Sequence, residues 1–96
     1  MEQRNETEFV MMAMAFPTLR DAAGVAPWNP NRLDIWAAEE ADCPEAIAAA
    51  QFLLSRWNPG CEWECGGFDP HRAFAAWDSP HRLAYLDWAS RESAVN

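Results

Sequence analysis

The sequence predicts a small all-α domain of four or five short helices with a Trp-rich core. Three observations predict it. The stretch from Pro44 to Trp57 is Ala-rich and amphipathic at helical spacing. A helix-start signature recurs: an aromatic, then Asn or Asp, then Pro. It stands at Trp28-Asn29-Pro30, Trp57-Asn58-Pro59 and Phe68-Asp69-Pro70, and with one insertion at Trp77-Asp78-Ser79-Pro80; three of the four are expected to start helices. Finally, 6 Trp in 96 residues supply large buried areas to a chain otherwise short of core. Four of those Trp lie between Trp57 and Trp88, which makes this half the expected core. Length sets one domain, placed at residues 7–92, between polar ends at 1–6 and 93–96 that are expected to fray.

In order along the chain, Phe9 to Phe16 is apolar all round, so periodicity alone leaves helix or strand open. Met and Ala content, with Thr7 and Glu8 as a start, favours helix. Pro17 ends or kinks it. Thr18 then caps a short turn that Gly24 stops. Asn29 is the expected N-cap of the next helix, with Pro30 at its first position and Leu33, Trp36 and Ala37 on one face. Glu39, Glu40 and Asp42 crowd the end of that helix, which is the wrong sign for its dipole. They read either as an acidic contact patch or, for Asp42 and Glu45, as part of the following helix start; the second reading is favoured.

The helix over 44–57 buries Ala46, Ile47, Ala50, Leu53, Leu54 and Trp57, leaving Glu45, Gln51, Ser55 and Arg56 outside. Phe52 falls on the polar side, so it packs under the N-terminal segment or marks a partner surface; in so small a domain the first reading is favoured. Asn58-Pro59-Gly60 is a turn, and residues 61–67 are irregular or a short hairpin around Trp63. Asp69 opens a helix carrying Ala73, Phe74 and Trp77, and Asp78 or Ser79 caps the last one. That last helix has Ala84, Tyr85, Trp88 and Ala89 on one side and Leu83 with Leu86 on another. Two apolar faces imply a central element or a self-association surface, hence a possible homo-oligomer.

Composition excludes several functions. The chain has 15 acidic residues against 7 basic, all of them Arg, and a formal net charge of −8. Such a chain does not bind nucleic acid phosphates directly, nor an anionic membrane surface. The apolar run 9–16 is too short to span a bilayer, and acidic residues precede it where a signal peptide carries positive charge. A cytoplasmic protein with reduced thiols is expected.

Cys61, Cys65 and His71, with His81 or Cys43 as a fourth ligand, have the right donor types for zinc, but the spacing is not that of paired zinc ligands. The competing reading makes the Cys small buried hydrophobes. A Cys61–Cys65 disulfide is a further option. Cys65 with either His offers a nucleophile and base, without an orienting third group. Asp69 and Asp78 are accounted for as N-caps. Arg72 and Arg82 hold matching places in the near-repeat of residues 68–77 and 77–88; they read as an anion clamp or, the favoured reading, as partners of carboxylates such as Asp69, Asp78 or Glu92 or as stacked on Trp. Trp63, between Glu62 and Glu64, reads as an interface anchor for a basic partner or as a lid on the core.

The pattern WNPG-x-x-WECG-x-FD, then WD-x-x-HR-x-x-x-L-x-WA, resembles a group of short, uncharacterised bacterial proteins over Trp57 to Ala89. The resemblance implies a compact bacterial domain and carries no activity onto any residue.

The expected function is a non-enzymatic protein–protein interaction module. Its partner-binding residues are Trp63, Glu62, Glu64, Glu39, Glu40 and Phe52, facing a protein with a basic, nucleic-acid-binding surface. A phage- or plasmid-type inhibitor of host defence, anti-CRISPR-like, is the narrower form. No cofactor is expected. The alternative is a structural or regulatory protein with zinc on Cys61, Cys65, His71 and His81.

Overall fold

The computed structural model describes residues 6–95, with side chains through Ser90. Within them the chain folds as helices with no strand: α1 (Glu6–Met14), a 3-10 turn (Pro17–Leu19), α2 (Pro30–Ile35) continued by a π-helical segment (Trp36–Glu40), α3 (Pro44–Trp57), α4 (Pro70–Ala76) and α5 (Ser79–Val95). Residues 61–67 form no hairpin. The radius of gyration is 12.4 Å, against about 12.5 Å for a single packed body of this length. Of the expected frayed ends, residues 1–5 and 96 lie outside the described residues; the α5 backbone is helical through Val95.

Local chemistry starts most of these helices. Asn29 is extended, and its side chain accepts the Arg32 N–H at 3.2 Å, with Pro30 in the first turn. Asp69 does the same for α4 through the His71 N–H at 3.0 Å, and Asp78 for α5 through the His81 N–H at 3.2 Å. Each cap satisfies a backbone donor that the helix itself leaves unpaired. Cys43 precedes Pro44 without a side-chain cap, and Glu45 sits favourably in the first turn of α3. Gly24 closes the loop before α2 with φ at +88° and a carbonyl that accepts the Asn29 N–H at 2.7 Å. A Cβ there would collide with the Leu33 backbone nitrogen, so the loop needs glycine for space as well as for conformation.

Helix α3 is the centre of the molecule. α1, the 3-10 turn, α2 with its π segment, and α4 all pack on it. Ala46, Ala48, Ala49, Ala50, Phe52, Leu53 and Leu54 are buried, so burial extends well beyond one stripe. Small alanines let the neighbouring helices approach closely. Around them the core takes Phe9, Phe16, Leu19 and Trp28 from the N-terminal half as well as Ala73 and Trp77 from the C-terminal half. Of the six Trp, Trp28 and Trp77 are buried, and Trp36, Trp57, Trp63 and Trp88 are partly buried against the core. The rings are contiguous: Phe16 meets Phe52 at 6.0 Å and Trp77 at 5.5 Å, and Phe52 meets Phe68, Tyr85 and Trp88 at 5.0–5.3 Å. Tilted and edge-on pairs of this kind add to the area they bury.

Phe52 therefore belongs to the core at 2% exposure and is not a partner-binding residue. The helical wheel placed it on the polar side of α3. That side is covered by Phe68 and by the aromatic face of α5. Helix α5 is peripheral: it lays Ala84, Tyr85 and Trp88 on the core and leaves Leu83 and Leu86 outside at 65% and 50% exposure.

Candidate functional site

The irregular stretch 61–67 is held by side chains from two helices. Asp34, buried on α2 at 7% exposure, accepts the backbone N–H of Glu64 through Oδ2 at 3.0 Å. Its Oδ1 accepts the N–H of Cys65 at 2.9 Å. From α3, the Gln51 amide donates to the Cys65 carbonyl at 2.6 Å. Within the loop, the Gly66 N–H returns to the Trp63 carbonyl at 3.0 Å, with Gly66 at φ +95°. A buried carboxylate is tolerable only when its oxygens are bonded, and two main-chain donors do this here.

This pinning fixes what the loop displays. Trp63 is half-buried against the core, with its indole N–H out of solvent and unpaired among the described residues. It covers the core while staying partly exposed. Glu62 and Glu64, on either side of it, are exposed. Glu39 and Glu40 are exposed on the π segment that continues the helix bearing Asp34, roughly one to two turns further along. They sit at the C-terminal end, where the helix dipole disfavours negative charge by about 0.3–1 kcal/mol each. The Ala41 N–H closes the segment on the Trp36 carbonyl at 2.8 Å.

The Cys and His residues do not converge. Among the described residues no three His, Cys, Asp or Glu side chains are grouped to hold a metal ion. Cys43, Cys61 and Cys65 are free thiols, so no Cys61–Cys65 disulfide is present. The Cys65 thiol is pushed up to about 12, by burial first and by the neighbouring Asp34 carboxylate second. It stays protonated at neutral pH, and a protonated thiol is a poor nucleophile. His71 is exposed at the start of α4.

His81 is committed elsewhere. It is 2% exposed, with Nδ1 2.6 Å from Asp78 Oδ1 and Nε2 2.7 Å from the Thr18 hydroxyl. A carboxylate only accepts, so Nδ1 carries the proton; in the neutral ring Nε2 then accepts from Thr18. The ring stacks on Trp77 and lies against Phe16. This chain of bonds ties the 3-10 turn to the start of α5. Both ring nitrogens are thereby occupied, so the imidazole serves as an internal brace. Arg82 donates to the Phe74 carbonyl at 2.5 Å and lies over the Phe74 ring, while Arg56 covers Trp88 at 4.8 Å. Arg82 thus stacks on Phe74 and not on a Trp, and the cation over Trp88 is Arg56, which the sequence reading did not name for this role.

Asp34 and Gln51 are the positioning residues that sequence reasoning missed. The available signal was slight: Asp34 stands three residues before Ala37, at the helical spacing that places the two on one face. Among the described residues, no helix is long and apolar enough to cross a membrane. Compared with known proteins, the chain matches no protein-family model, no curated protein and no solved structure.

Proposed function

We propose that this protein is a small acidic protein–protein interaction module that docks on the basic surface of a protein partner and acts by binding, without catalysis. The observation that carries the reading is the pinned loop. Asp34 and Gln51 fix its backbone, so Glu62 and Glu64 are held outward beside the partly exposed Trp63. Binding through a fixed loop avoids most of the ordering cost that a flexible acidic segment incurs. Glu39 and Glu40, kept against the helix dipole, extend the carboxylate display. The partner class follows from charge. A chain at −8 approaches a Lys- and Arg-rich surface faster than any other, and its carboxylates stand in for the phosphates of a nucleic acid. An inhibitor of the phage or plasmid type, anti-CRISPR-like, is the narrower form of the proposal.

Native mass spectrometry of the protein purified from its own host, beside a Glu62→Lys/Glu64→Lys variant, tests this. The expected result is a wild-type complex with a basic protein, lost in the variant, weakened by salt and competed by nucleic acid. A wild-type chain that carries no protein, or a complex that the double variant retains, overturns it.

A further inference from the structure

We propose that α5 pairs side by side and parallel with the α5 of a second copy of this chain, through Leu83 and Leu86. The helix has two faces. Ala84, Tyr85 and Trp88 lie on the core, and the opposite face carries Leu83 and Leu86 at 65% and 50% exposure. Those two leucines are three apart, the spacing of neighbouring a and d positions in a coiled-coil heptad. The next seam positions outward are Ser79 and Ser90, both exposed and small enough for two helices to approach.

Charge selects the occupant and the direction. With Leu83 at a and Leu86 at d, Arg82 falls at g and Asp87 at the following e. In a parallel pair each g residue faces the e residue five positions on in the partner, so Arg82 meets Asp87 of the other copy twice across the two-fold axis. An antiparallel pair would instead bring the two Arg82 side chains to the same flank. Arg82 is exposed and rests on the Phe74 carbonyl and ring, and Asp87 also has a contact within its own chain, so both exchange these contacts on pairing. The other exposed apolar pair, Met11 and Met14 on α1, has Val10 and Ala15 at the equivalent flanking positions, so the helix carries no matching g–e charge pair there.

One heptad with two leucines per copy buries less than the roughly 1,600 Å² of a standard interface, and two chains at −8 repel. The pair is therefore weak and concentration-dependent. Sedimentation of the full chain, in enough salt to screen the repulsion, tests it from micromolar to millimolar concentration. The expected mass rises from monomer to dimer. Leu83→Glu holds it at monomer with an unchanged far-UV spectrum, because the side chain faces solvent. Arg82→Glu weakens association several-fold, and Arg82→Glu with Asp87→Arg restores it. A wild-type monomer at every concentration overturns the proposal and leaves the face to a different partner. A dimer that survives Leu83→Glu, or a charge swap that restores nothing, overturns it as well.

Discussion

A single side chain, Asp34, decides whether residues 61–67 are a platform or a loose connection. Its two oxygens satisfy two main-chain donors, and no other described side chain bonds those N–H groups. Asp34→Ala removes both bonds and leaves part-buried donors, so it should cost roughly 2–4 kcal/mol in urea unfolding. Asp78 makes a prediction of the opposite kind, about pH. The His81 side chain, and then the His81 backbone N–H, hold the Asp78 carboxyl below its ordinary 3.8. A carboxyl depressed by folding contributes stability above its unfolded value and loses it as pH falls through the folded one. Stability should therefore fall below about pH 4, and Asp78→Asn should flatten that acid limb. Denaturant titrations across the acid range for the two proteins check it. Asp78 is itself largely exposed, so the effect is modest.

Among the elements, the caps were legible in the sequence because each bond spans two or three residues. Asn29, Asp69 and Asp78 all act as read, and α3 has the limits that the Ala-rich stripe indicated. Asp34 was not legible because its partners lie 30 and 31 residues further on. Packing was the favoured reading for Phe52 and holds, with Phe16 of the N-terminal segment against it; its place among the partner-binding residues was wrong for a related reason. A helical wheel presumes one solvent face, whereas α3 is packed on several sides and its nominally polar side receives α5. This yields an element-scale prediction. Phe52→Ala, at a site that an exposed partner residue would tolerate, should cost about 3–5 kcal/mol. Ala50→Leu, at full burial on the same helix, should cost about 1–3 kcal/mol by overpacking. Thermal or urea unfolding of the two variants is the check.

For the whole molecule, the excess of carboxylates sets the response to salt. Self-repulsion at −8 opposes the folded state more than exposed ion pairs support it, so moderate salt should raise Tm, readable by calorimetry. The same charge explains why a fixed display has value. Acidic groups scattered on mobile chain would attract any basic surface, while a loop tied to α2 and α3 offers one arrangement. The most direct test of that claim is amide hydrogen exchange at Glu64 and Cys65 in the wild-type chain and in Asp34→Ala. Bonded to a buried carboxylate, both amides should exchange slowly in the wild type and fast in the variant while the α3 amides stay protected. Fast exchange at both positions in the wild type, or slow exchange that survives Asp34→Ala, would contradict a loop pinned by Asp34.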